Sequence, residues 1–220
     1  MTLSRRLTAE FLGSALLTAA VFGSTAMGAG LTGDAALGLV ATSLVTGAVL
    51  GVLIAILGPV SGAHLNPAVT LAFWLRREVT AADAWFYVLI QVAGAVAGAA
   101  LAHAMFDLPL LQASTIPREA PSLWLSELVA TFGLILTILG ALAARGPVPA
   151  LVGAYVAAAF WFTASTGFSN PAVTLARSLT PTGAGLRPED LAPYLVAQVA
   201  GALMAALLGR WLFANEKPPA

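Results

Sequence analysis

In a chain of 220 residues of which 59% are apolar and only 9% charged, the few polar side chains are where any chemistry has to reside. Asn66 and Asn170 head two copies of one heptapeptide, Asn-Pro-Ala-Val-Thr-Leu-Ala, at 66–72 and 170–176. Asn before Pro starts a helix. The Asn oxygen accepts a backbone N–H, and Pro67 or Pro171 suits the first helical position, where its missing donor would be unpaired anyway. Ala68 and Ala172 complete the two tripeptides. Alone, such a tripeptide is an ordinary cap; two copies at corresponding places in a repeat say more. Glu10 and Glu127 sit at matching places in apolar runs, where a carboxylate is costly and a proton relay is one conceivable use. His64, two residues before Asn66, suits a loop brace or a pH gate. His103 has no companion ligand and reads as structural. The absence of cysteine removes disulfides, thiolate nucleophiles and thiolate metal sites together. No nucleophile, metal cluster or catalytic carboxylate pair has recognisable spacing, so no enzyme, metal or cofactor is expected.

The elements that position these residues follow from the repeat. A second identity, Gln-Val-Ala-Gly-Ala at 91–95 and 198–202, trails each heptapeptide, so the chain is two copies of one unit. The composition leaves too few polar side chains to solvate a globular surface. Net charge is zero, which gives no case for a nucleic-acid partner. Apolar stretches of about 20 residues fall at 11–29, 36–57, 84–106, 123–143, 149–165 and 191–213, which defines an all-α membrane protein. Each half reads span, span, heptapeptide segment, span: the first repeat at 1–107, a connecting loop at 108–122, the second repeat at 123–220. Three spans per half force the second copy to enter from the opposite side, an inverted repeat. Half-helices are expected at 66–76 and 170–180; about ten residues at 1.5 Å rise give roughly 15 Å, half the hydrocarbon thickness. Non-helical backbone at that depth must be buried in protein or line a wet cavity. The approaches 58–63 and 165–169 suit extended segments whose carbonyls do so.

With both termini cytoplasmic, the inner segments hold Arg5, Arg6, Arg76, Arg77, Arg145, Arg210 and Lys217, and the outer ones Arg118, Arg177 and Arg187. That excess supports the orientation. A signal peptide is the competing reading of Ser4-Arg5-Arg6 and the run ending near Ala29. Glu10 interrupts that run, and its removal would leave five spans and break the repeat. Gly94, Gly98, Gly201 and Ala205 recur at helical spacing of four, a signal of close helix packing. Trp74, Trp85, Trp124 and Trp211 lie near span ends, as interfacial anchors would.

At these residues the chain resembles the major intrinsic proteins, the aquaporin and aquaglyceroporin family, over essentially its whole length. The resemblance rests on residues 61–69 (Ser-Gly-Ala-His-Leu-Asn-Pro-Ala-Val), on Ala9-Glu10-Phe11-Leu12-Gly13 with its counterpart Glu127, and on Gln91 and Gln198. It implies six transmembrane helices plus two re-entrant half-helices. It also implies a homotetramer with one pore per protomer, seated among lipid in a bacterial cytoplasmic membrane, and passive conduction of water or small neutral solutes. By the same resemblance Glu10 and Glu127 accept hydrogen bonds from the re-entrant loops, and His64 braces one of them. Asn66 and Asn170 would each aim an amide donor into the pore while two positive helix ends face the midplane. That arrangement holds a solute hydroxyl by its oxygen, opposes cations and interrupts a proton wire.

One departure bears on the solute. Members of the family normally carry Arg directly after the second Asn-Pro-Ala, on one wall of the outer constriction; here that residue is Val173. Arg177 lies four residues on, about 6 Å at helical rise. By the family pattern the other walls are Thr46, Ala158 or Ala159, and Gly167 or Phe168. Such a filter is expected to be wider and less polar than a water filter, suiting glycerol, urea and uncharged metalloid acids such as arsenous or boric acid. Val173 also resembles that of a bacterial subgroup associated with arsenic-resistance genes, which implies inorganic or methylated arsenic species. If Phe160, Trp161, Phe162 or Phe168 turns inward, or Arg177 narrows the mouth, a water-selective channel is the alternative. Outside the family the rival is an ion-coupled transporter, which shares inverted repeats and half-helices. It needs a coupling-ion site, and the span-embedded acids are only Glu10 and Glu127. A junctional role would need a sealed pore, against which Thr46, Ala158 and Val173 argue.

Overall fold

A computed structural model describes residues 1–214; Lys217 and the last residues of the second repeat lie outside the described residues. The first half contains α1 (Leu3–Leu31), α2 (Ala35–Ser61), the short α3 (Pro67–Leu75) and α4 (Ala81–Met105). The second contains α5 (Pro121–Ala143), α6 (Val148–Phe162), the short α7 (Pro171–Arg177) and α8 (Leu191–Leu212), with one 3-10 turn, Pro188–Asp190, leading into α8. This is the inverted three-plus-three arrangement with two re-entrant half-helices.

The helix ends follow local chemistry. Asp34 accepts hydrogen bonds from the Ala36 and Leu37 amides to start α2, and the Thr80 hydroxyl accepts one from Asp83 to start α4. Pro121 and Pro149 occupy first-turn positions of α5 and α6. α2 stays helical through Ser61, so the extended approach expected over 58–63 shrinks to 62–65. Pro59 forfeits a single backbone bond near the helix end, and the helix stops only at Gly62, where φ is +89°. α6 ends earlier than the span expected over 149–165: Thr163 is already extended, and the path to Asn170 uses φ of +66°, +58° and +49° at Thr166, Gly167 and Ser169. α3 and α7 are likewise shorter than expected; Pro181 has no N–H to continue α7 onto the Arg177 carbonyl, which accepts from the Leu186 amide instead.

Within each half the first and last long helices pair, α1 with α4 and α5 with α8. Their approach depends on the glycines singled out above. A methyl on Gly94 would lie 2.5 Å from the Phe11 carbonyl oxygen, and one on Gly201 would collide with the equivalent Leu128 carbonyl. α2 and α6 cross between the halves, Gly47 against Gly153. Each half-helix packs against both α4 and α8, so the two Asn-capped tips meet at the centre. Among the described residues five helices are long and apolar enough to span a membrane; α6, with 15 residues, is shorter. Leu44, Leu125, Val196 and Leu207 are exposed on the outer faces, as lipid-facing residues are in a multi-pass membrane protein.

Candidate functional site

Two buried carboxylates hold the re-entrant loops. Glu10 accepts from the Ser61 hydroxyl (2.6 Å) and His64 amide (3.0 Å) on one oxygen, and from the Leu65 amide (2.7 Å) and Gln91 (2.8 Å) on the other. Glu127 accepts from the Phe168 amide (2.8 Å), the Ser169 amide (3.0 Å) and Gln198 (2.6 Å). Gln91 also donates to Thr70, and Gln198 to the equivalent Thr174. A loop with left-handed residues cannot pair its amides in a helix, so an acceptor must come from outside it. The carboxylates supply that acceptor, each turned toward its own loop.

Asn66 and Asn170 each do two things. Their oxygens cap the half-helices, Asn66 from the Ala68 amide (2.8 Å) and Asn170 from Ala172 and Val173 (3.0 and 3.3 Å). Their amide nitrogens cross to the opposite half: Asn66 donates to the Ser169 carbonyl (2.7 Å), Asn170 to that of Leu65 (2.8 Å). An Asn NH2 carries two N–H groups. The crossing bond takes one, and since both side chains border the central cavity the second is free for its contents.

That cavity has a volume of about 460 Å³ and runs from Leu142 and Pro149, toward the face where α1 begins and α8 ends, past both Asn residues to Arg177. Its wall is largely apolar. A second cavity of about 450 Å³ lies on the opposite, loop-bearing face between the α1–α2 turn and the loops that contain Arg118 and Gly183. Phe160 and Arg177 border both, so the waist between them lies there.

Of the filter positions expected from sequence, Thr46, Gly167, Phe168 and Val173 border the central cavity, with the Thr46 hydroxyl buried and unpartnered. Ala158 and Ala159 do not. Ala158 is exposed on the outer surface, and Ala159 packs against Gly167. The inward face of α6 is Pro149, Val152, Val156 and Phe160. Counting back from Asn170 failed because α6 ends at Phe162 and seven residues of loop follow, whereas helical spacing from Pro149 leads to Phe160. Trp161 and Phe162 are exposed.

His64 shares a 3.0 Å hydrogen bond with Thr70 and packs on Phe73 (4.7 Å between ring centres) and Tyr87 (5.3 Å). Superposing the heptapeptides makes Phe168 the counterpart of His64 and Arg177 that of Phe73. The contact recurs with different chemistry: the Arg177 guanidinium carbon lies 3.7 Å from the centre of the Phe168 ring. His103 ties Leu110 to Thr180 at the loop-bearing face (2.6 and 2.8 Å), a structural bridge. Among the described residues no group of three His, Cys, Asp or Glu side chains could hold a metal.

Half-helices meeting tip to tip, with cavities reaching toward opposite faces of a helical membrane protein, are the architecture of a channel. A sequence model of the major intrinsic protein family matches residues 1–162, and the chain belongs to that family. It is 55% identical over 217 residues to aquaglyceroporin AqpS of Rhizobium meliloti (strain 1021), covering 98% of this chain and 93% of the relative. Aquaporin-4 of Rattus norvegicus is 27% identical across 96% of this chain and 68% of its own length. The fold matches the X-ray structure of the aquaglyceroporin from Plasmodium falciparum with a TM-score of 0.76 over 97% of each chain at 22% identity.

Proposed function

We propose that the protein is a passive channel for small uncharged solutes, glycerol, urea and metalloid acids such as arsenous or methylated arsenic species among them, together with water. The observation that carries this reading is Val173 on the wall of the cavity that Thr46 and Gly167 also line, at the position where the family resemblance implies an arginine. Small neutral walls leave room for a solute larger than water, and the free amide hydrogens of Asn66 and Asn170 hold its oxygens in passage. The relative named an aquaglyceroporin supports the same solute class. Glu10 and Glu127 are loop braces in this scheme. The protomers form a homotetramer with a pore in each, in the bacterial inner membrane, both termini cytoplasmic. The repeats are residues 1–107 and 123–220 about the connection 108–122.

A water-selective channel is the second reading, and Phe160 at the waist favours it. Stopped-flow light scattering on proteoliposomes separates the two. The expected result is glycerol, urea and arsenous acid uptake well above empty liposomes, reduced at least about fivefold by Val173→Arg with water flux kept within about twofold. Fast water flux with negligible solute uptake by the unmodified protein would establish the water-selective reading instead.

A further inference from the structure

Arg177 is buried, yet its charge is unanswered. Among the described residues its guanidinium makes one hydrogen bond, from Nη1 to the Ala184 carbonyl (2.7 Å), while Nε has no partner and no carboxylate stands within ion-pair distance. Glu127, on α5, spends both oxygens on its loop and on Gln198. Phe168 fixes one side of the guanidinium, and a second cation, Arg118, lies 5.2 Å from the same ring. Arg118 is itself pinned by the Gly185 and Gly183 carbonyls. The acid bordering this vestibule, Asp34, has one oxygen committed to the α2 cap. A buried guanidinium with open donors is costly unless water or a solute meets them. Arg177 borders both cavities, so those donors can be met at the waist. The equivalent stack in the first half, His64 on Phe73, contains no arginine.

We infer that Arg177, held on Phe168 and reinforced by Arg118, is the charge filter of this channel: it excludes small cations at the loop-bearing mouth, while Phe160 limits size. The inference rests on the channel reading above and adds the residue that discriminates charge. A cation about 5 Å from a fixed guanidinium is suppressed by between about fourfold and several hundredfold as the effective dielectric constant falls from about 80 to about 20.

Urea and guanidinium separate charge from size, because they are planar and similar in size and differ mainly in charge. Uptake of each into proteoliposomes is compared for the unmodified protein, Arg177→Gln, Arg177→Lys and Phe160→Ala. The expected result is urea uptake with guanidinium excluded in the unmodified protein. Arg177→Gln should raise guanidinium flux at least about tenfold with urea flux changed by less than about threefold, and Arg177→Lys should restore exclusion. A merely structural arginine would not alter the ratio of the two solutes. Exclusion persisting in a urea-conducting Arg177→Gln protein overturns the assignment. Should that variant not fold, Phe160→Ala decides: a widened waist that still rejects guanidinium supports the charge filter, and one that admits it shows that size alone was responsible. Guanidinium passing through the unmodified protein also overturns the inference while leaving the channel reading intact, whereas absence of urea, glycerol and water flux overturns the channel reading and the charge filter with it.

Discussion

The two re-entrant turns lead into the same heptapeptide, yet all four residues between Ser61 and Asn66 differ from those between Ser165 and Asn170. Both use an Asn cap, a Glu acceptor, a Gln that links the Glu to a Thr, and left-handed residues at corresponding places: Gly62, Ala63 and Leu65 in one, Thr166, Gly167 and Ser169 in the other. The residue before Leu65 is His64, stacked on Phe73; the residue before Ser169 is Phe168, stacked on Arg177. The shared caps and braces hold the same backbone in both turns, and the divergent side chains decide what each end of the cavity offers a solute. A second difference points the same way: the Tyr87 hydroxyl donates to the Ser61 carbonyl, while that of Tyr194, at the matching place, is buried without a partner. The ring contact is common to both halves, Tyr194 on Phe168 and Tyr87 on His64.

The largest effect is expected where the halves are alike. Glu10→Ala and Glu127→Ala each strand two buried backbone amides, at about 1–3 kcal/mol per donor and about 2–6 kcal/mol in all. The two costs are expected to be nearly equal although Glu10 accepts four bonds and Glu127 three. The extra donor is the Ser61 hydroxyl, which can turn elsewhere. Chemical unfolding of the purified variants measures this; a loss under 1 kcal/mol at one Glu and not the other would mean that the brace is not shared.

Asn66→Ala and Asn170→Ala come next. Each removes a cap, worth about 1 kcal/mol, and a crossing bond of similar worth. Asn170 caps two amides and Asn66 one, so Asn170→Ala is expected to be the costlier by a few tenths of a kcal/mol. The crossing bonds pin the same pair of tips, so the double variant should depart from additivity by at least about 0.5 kcal/mol. Strict additivity would mean that each tip is held by its own half alone.

The same comparison explains what could be read in the sequence. The heptapeptides and the matching Glu and Gln residues made the repeat, the inverted topology and the paired caps legible, because identical residues in a chain with few polar side chains have few alternative uses. Thr46 and Val173 were placed on the cavity wall because they lie on helices whose register the caps fix. Ala158 and Ala159 were misplaced because seven residues of irregular backbone between Phe162 and Asn170 break the count. The helical face from Pro149 through Val152 and Val156 carried the signal for Phe160. Arg177 was visible as the nearest arginine, but its stacking on Phe168 depends on a left-handed turn at Gly167 and Ser169 that no local pattern announces.

The smallest effect separates the loops that follow the half-helices. After α3 the chain reaches α4 within a few residues, and its ion pair, Arg76 with Glu78 at 2.6 Å, is partly exposed. After α7 a longer loop runs to α8, and Asp190 there is buried, accepting from Arg187 at 3.0 Å on each oxygen and from the Arg118 amide at 2.8 Å. An exposed pair contributes about 0–1 kcal/mol, so Glu78→Gln is expected to shift stability by less than about 0.5 kcal/mol. Asp190→Asn keeps one acceptor but loses charge assistance in two bonds, and about 1 kcal/mol is expected. Thermal unfolding of the two variants side by side tests this. Because Asp190 also holds the segment carrying Arg118, its variant should loosen one support of the charged mouth, whereas Glu78→Gln has no such support to loosen. An equal, negligible shift for both would mean that the longer loop is held by the carbonyls gripping the Arg118 side chain and not by the acid beneath it.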